Sequence, residues 1–239
     1  MNWRSIFCAC CAICVAGIVQ AAAVFSTPET ITGVPAAGGS PFSPVHPAGG
    51  PSATDLLNGL SPVAQAGNFQ QEASTGVSAL TNGSSDTFYG TGVGGDNHTG
   101  YATADASGGG QFLVYDLGGV FNLSSIVTFG GWGDGGRDQQ FYNILTSSDG
   151  INFNPLASFA GVNTAGTTPI SHRVQLTEDS LPNLATGVTH VRFNFLDVEN
   201  DYSGYTEIDV FGTLVPEPGT MTLAGLAALG VVALRRRRA

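Results

Sequence analysis

THVRFNFLDVENDYSGYTEIDVFG, residues 189–212, holds two runs of one period. Val191, Phe193 and Phe195 alternate with His190, Arg192 and Asn194, and beyond an acidic stretch Thr206, Ile208 and Val210 repeat the pattern. Successive side chains of a strand point to opposite faces, so this period sets one apolar row against a core and one polar row toward water. The same alternation runs through FYNILTS (141–147; Tyr142, Ile144, Thr146) and SHRVQL (171–176; Val174, Leu176). QFLVYDLGG (111–119) and LSSIVTFGG (123–131) are β-branched and aromatic runs closed by glycine pairs. Ser148-Asp149-Gly150 lies between two strand-like runs and predicts a hairpin. No helical period is sustained across residues 68–214. The expected fold is therefore all-β, an antiparallel β-sandwich of about 150 residues, large enough for a core without disulfides.

The ends of the 239-residue chain read differently. Residues 1–23 place Arg4 before an apolar stretch, Ile6 to Val19, and the small run Ala21-Ala22-Ala23, which is the grammar of a cleaved signal peptide. All four cysteines (Cys8, Cys10, Cys11, Cys14) fall inside it, so the mature chain is expected to have neither disulfides nor thiolate metal sites. Residues 24–67 are rich in Pro, Gly, Ala and Ser and are expected to form a flexible, partly polyproline-like leader, with His46 solvated.

At the C-terminus, Met221 to Leu234 is uncharged and apolar, and Arg235, Arg236, Arg237 and Arg238 follow. Fourteen helical residues rise about 21 Å, short of a ~30 Å hydrocarbon layer. The arginines favour the cytoplasmic side, so this short transmembrane helix would enter the membrane with its N-terminus outward. With Pro216-Glu217-Pro218 just ahead of it, residues 215–239 resemble the PEP-CTERM sorting signal of Gram-negative bacteria. That resemblance implies export through the inner membrane, transient anchoring by the tail, and processing by an exosortase-type membrane protease. The destination it implies is the cell surface or extracellular matrix.

Across residues 24–218, only Arg137, Arg173 and Arg192 oppose eighteen Asp and Glu. Such a surface repels phosphate backbones, so nucleic acid is excluded as a partner and divalent cations are favoured.

The order of four motifs carries a second resemblance. ALTNGSSDTFY (79–89), VYDLGG (114–119), FYNILTSSDGINF (141–153) and the closing Glu207-Ile208-Asp209-Val210-Phe211-Gly212 resemble the discoidin-type, galactose-binding-like jelly-roll sandwich over residues 68–214. Asn82 stands where the family usually has aspartate and Tyr89 where it has tryptophan, and the family's occasional cysteine pair is missing. The resemblance implies a structural calcium held by Asn82, Asp86 and Thr87 on one side and Glu207 on the other; polar residues in a Gly/Ser-rich loop also serve as plain turn formers.

Ligands of this fold meet loops at one end of the sandwich. FGGWGDGGRDQQ (129–140) offers Trp132 for stacking on a sugar ring and Arg137 for hydroxyl or carboxylate groups. Two readings stand: a carbohydrate site, or Trp132 capping the core with Arg137 paired to Asp134 or Asp138. Asp197, Glu199 and Asp201 do not make an EF-hand, because Tyr202 occupies the position that needs glycine. Gly90, Gly92 and Gly95 fit a dinucleotide fingerprint without its strand and helix, and no hydrolase elbow, zinc-protease or P-loop motif occurs. The sequence thus points to a non-catalytic adhesion or carbohydrate-binding module. A matrix component without a specific ligand and a carbohydrate-active hydrolase are the alternatives.

Overall fold

Each alternating run forms a strand in the computed structural model, which describes residues 23–33, 40–90, 98–105, 109–132, 137–161, 168–196 and 202–216. The strands are β1 (Ala23–Phe25), β2 (Glu29–Thr32), β3 (Ser40–Phe42), β4 (Ala64–Gly67), β5 (Thr87–Tyr89) and β6 (Ala102–Ala104), then β7 (Gly110–Trp132), β8 (Phe141–Ser147), β9 (Asn154–Ala160), β10 (Ile170–Glu178), β11 (Ala185–Phe195) and β12 (Ser203–Leu214). The fold is an antiparallel β-sandwich in which, among the described residues, one parallel bridge joins Ala104 to Gly110.

The 23-residue β7 belongs to both layers. Its first part pairs with β4 and, through Phe112–Asp116, with β11, which continues to β8 and β9. Its second part pairs with β10 through Ile126–Trp132 and with β12 through Phe121–Gly130. The change comes at Gly118, whose φ of 71° suits glycine and whose N–H donates to Asp116 Oδ1 at 2.9 Å. Opposite this bend β11 shifts register on both sides of Val188, and such irregularities let one strand turn a corner between sheets.

Val191, Phe193 and Phe195 are buried as their alternation predicts, and with Tyr142, Tyr205 and Ile208 they form part of one continuous core. Tyr142 stacks on Phe159 at 5.6 Å and meets Phe193 and Tyr205 edge-on. The predicted hairpin joins β8 to β9: Asp149 Oδ1 accepts from the N–H of Ile151 and Asn152, and Ser147 Oγ accepts from those of Asp149 and Gly150. These donors favour the ionised form, so the Asp149 carboxyl is held below its ordinary range.

The flexible leader expected at residues 24–67 is corrected by the structure. β1 and β2 extend the sheet along β10, β3 pairs with β5, and β4 pairs with β7. Phe25 packs on Phe159 at 5.0 Å, and Leu57 is fully buried. His46, expected in solvent, is buried: its Nε2 lies 3.0 Å from Ser171 Oγ and its ring meets Phe129 edge-on, burial holding its pKa below the ordinary imidazole value. Pro41 is tolerated in β3 because that strand lies at a sheet edge, where a missing N–H costs no ladder bond. Residues 1–22 of the expected signal peptide lie outside the described residues, and Ala23 already belongs to β1.

Candidate functional site

One end of the sandwich gathers the C-termini of β7 and β11 and the N-termini of β8, β10 and β12. Arg137 stands there, 6% exposed, with its guanidinium carbon 4.8 Å from the centre of the Tyr202 ring. Its carbonyl accepts from Gly204 N–H at 2.8 Å, which ties the segment before β8 to the start of β12. Beside it the fully buried Asp138 places Oδ2 3.0 Å from His172 Nε2, and His172 Nδ1 is 2.9 Å from Thr30 Oγ1. Gln140 donates through Nε2 to the His172 carbonyl, and its Oε1 accepts from Thr128 Oγ1 at 2.6 Å. Thr30, Gln140 and His172 border a cavity of about 200 Å³ that is lined also by Pro28, Phe159, Gly161 and Val174. Its lining is mostly apolar, and the polar groups that reach it are already engaged, His172 with Thr30 and Asp138, and Gln140 with Thr128 and the His172 carbonyl. A planar cation set on an aromatic ring keeps its fork geometry, and that geometry suits hydroxyl pairs and carboxylates.

Trp132 ends β7 at this same end; its side chain lies outside the described residues, as does Asp134. The acidic run Asp197, Glu199 and Asp201 also lies outside them. Sequence reasoning found Arg137 and named Asp138 only as a partner for it; it missed the contacts with Tyr202 and His172, which depend on strand pairing across more than thirty residues.

The second cluster lies farther along β12. Glu207 is fully buried, and its Oε2 accepts from the N–H groups of Asn82, Gly83 and Ser84 at 3.1, 2.9 and 3.2 Å. The structure thus brings the predicted loop onto the predicted final strand. Glu207 Oε1 and Thr87 Oγ1 are buried without a hydrogen-bond partner, an arrangement that leaves two hard oxygens open to a cation. Asn82 and Asp86 are exposed, and Asn82 Oδ1 already accepts from Ser84 N–H. Half of the expected set therefore presents unsatisfied oxygens, while the other half occupies the turn.

Two further carboxylates stand with Glu207. Asp55 and Asp209 are both buried, and one ligand oxygen from each of the three lies within 4.8 Å of the others. Burial, and then the Asp209 charge, pushes the Glu207 pKa up to about 9; burial, and then Asp55, pushes Asp209 up to about 7. Asp55 is raised by burial as well. Asp209 had a signal, since it lies two residues beyond Glu207 on one strand and so shares its face. Asp55 had none, being far away in the supposed leader.

Of the sorting residues, Pro216 is exposed; Glu217, Pro218 and Arg235 to Arg238 lie outside the described residues, as does the apolar tail. Among the described residues no helix is long and apolar enough to cross a membrane.

Comparison with known proteins gives two family matches. The F5/8 type C domain matches residues 64–209, and the PEP-CTERM protein-sorting motif matches residues 214–238. No curated protein sequence matches. Among solved structures, the chain is similar to CpGH89CBM32-5 from Clostridium perfringens, in complex with GalNAc-β-1,3-galactose, at 19% identity and a TM-score of 0.33, over 42% of this chain and 64% of that one. It is similar to a family 89 glycoside hydrolase from the same organism at 21% identity and a TM-score of 0.40, over 68% of this chain and 15% of that one. A putative chitobiase fragment from Bacteroides thetaiotaomicron is 15% identical with a TM-score of 0.33, over 44% of this chain and 62% of that one. The chain thus spans less than two thirds of the length of each.

Proposed function

The chain belongs to the F5/8 type C domain family, and from that premise we propose that its sandwich is a non-catalytic carbohydrate-binding or adhesion module of the bacterial surface. The PEP-CTERM motif implies export and sorting toward the surface of a Gram-negative bacterium. The reading adds that the short tail holds the protein in the membrane only until an exosortase-type protease removes it.

The observation that carries the binding role is Arg137, whose guanidinium stacks on Tyr202 at the loop end, next in sequence to Asp138, which bonds His172 in the wall of a mostly apolar cavity. A sugar presents an apolar ring face, which suits an apolar or aromatic wall, and a rim of hydroxyls, which suits a guanidinium fork. Trp132, closing β7 at this end, supplies the second stacking group in this reading. A structural calcium belongs to the proposal too: Thr87 and Glu207 have the unsatisfied oxygens for it, and it would pin the loop of residues 82–87 to β12.

The test is retention of the exported protein on insoluble and immobilised polysaccharides, with Trp132→Ala beside it. Retention of the native protein that falls at least about tenfold in the variant supports the module. No retention on any polysaccharide would favour a matrix component without a specific ligand. Release of reducing ends would instead revive a hydrolase.

A further inference from the structure

Asp55, Glu207 and Asp209 are buried together, at 9, 0 and 1% exposure, and each is anchored through only one oxygen. Asp55 Oδ1 accepts from Leu57 N–H at 2.7 Å and Val210 N–H at 3.2 Å. Asp209 Oδ2 accepts from Ser52 N–H at 3.1 Å, and Glu207 Oε2 from the loop amides at residues 82–84. The second oxygen of each, Asp55 Oδ2, Asp209 Oδ1 and Glu207 Oε1, is buried without a hydrogen-bond partner. The guanidinium of Arg173 favours the charged form of Asp209, but it donates to the Gly49 carbonyl and to Gln175 Oε1.

Ionised together, the three carboxylates would need compensation, because each uncompensated ion costs several kcal/mol in a protein interior. Oxygens within 4.8 Å of one another suit a shared ion: at about 2.3–2.6 Å from calcium, ligands on opposite sides are roughly 5 Å apart. The set contains no sulfur or nitrogen, which disfavours zinc and copper. We propose that Asp55 and Asp209, with Glu207, bind a calcium ion that clamps the segment 52–57 to β12. Asp55 lies outside the family-matched residues 64–209, so the clamp recruits a segment that precedes the matched domain. The inference rests on the calcium reading above through Glu207 alone, and adds that Asp55 and Asp209 supply the other charges.

The experiment titrates the EDTA-stripped exported protein with calcium chloride, and separately with magnesium chloride, by calorimetry. It compares the native protein with Asp55→Asn, Asp209→Asn and Thr87→Val. Each Asn variant keeps the size of its side chain and removes a buried charge, and its melting curve in chelator reports whether it is folded. Loss of at least about tenfold in calcium affinity in both Asn variants is the expected result. Native affinity in both would overturn the clamp while leaving the Thr87–Glu207 reading standing, and absence of calcium binding in the native protein would overturn both. Hydrogen exchange on the native protein needs no variant: calcium is expected to slow exchange at the amides of Ser52, Leu57 and Val210. Unchanged exchange there with calcium bound would overturn the clamp.

Discussion

Replacing Tyr142 with alanine is expected to destabilise the protein by about 3–5 kcal/mol, the cost of deleting a large aromatic from a packed core. Tyr142 is 1% exposed and lies where the two layers meet. Phe159 stacks on it from β9, Phe193 and Tyr205 meet it from β11 and β12, and Phe25 reaches it from β1 at 6.4 Å. Its hydroxyl lies 2.7 Å from Thr128 Oγ1. Because the Thr128 hydroxyl donates to Gln140, Tyr142 must be the donor to Thr128. Burial in this site pushes the Tyr142 hydroxyl far above its ordinary pKa, so it remains a donor at every physiological pH. Tyr142→Phe, which removes only the donor, is expected to cost about 1 kcal/mol. Denaturant melts of both variants measure the difference. A cost below about 1 kcal/mol for the alanine variant would mean that Tyr142 does not join the layers.

The second large effect is a pH dependence that a cation removes. In chelator, Glu207 and Asp209 have folded-state pKa values of about 9 and about 7, above their ordinary values of 4.5 and 3.8. The folded state then binds more protons than the unfolded one, so stability falls as pH rises. Both groups contribute between about pH 5 and 7, and Glu207 alone between about 7 and 9, each at up to about 1.4 kcal/mol per pH unit. The stripped protein is therefore expected to melt several degrees lower at pH 8.5 than at pH 5.5. The proposed calcium clamp takes these carboxylates ionised, so with saturating calcium the fall is expected to vanish or reverse. Glu207→Gln in chelator is expected to flatten the profile above pH 7. Equal melting temperatures across this range in chelator would show that these carboxylates are not destabilised by their burial.

The β11 run was legible because it buries one face, so Val191, Phe193 and Phe195 report their environment locally, whereas β12 buries both, Ile208 and Val210 on one and Glu207 and Asp209 on the other. Segment 24–67 was not, since its composition reads as unstructured and its anchors depend on distant strands. Phe25 fills a place made by Tyr142 and Phe159, and His46 one made by Phe129 and Ser171. Edge pairing along β10 leaves no trace of period in so short a stretch. The sites divide in the same way. Arg137 stood out because cations are scarce, and Glu207 because its strand matched a family pattern. Asp86 matched as a carboxylate in the right loop, yet it is exposed, while the buried acid that joins Glu207 from outside the domain is Asp55. A motif fixes residue types along a loop, but which oxygens become desolvated is decided by packing.

The central claim, that the loop end around Arg137 recognises carbohydrate, is tested most directly by calorimetry of the exported protein with the best-retained oligosaccharide. Saturable binding, weakened at least about tenfold by Arg137→Ala with no sugar cleaved, is the predicted result. Equal affinity in the native protein and in a folded Arg137→Ala variant would contradict it.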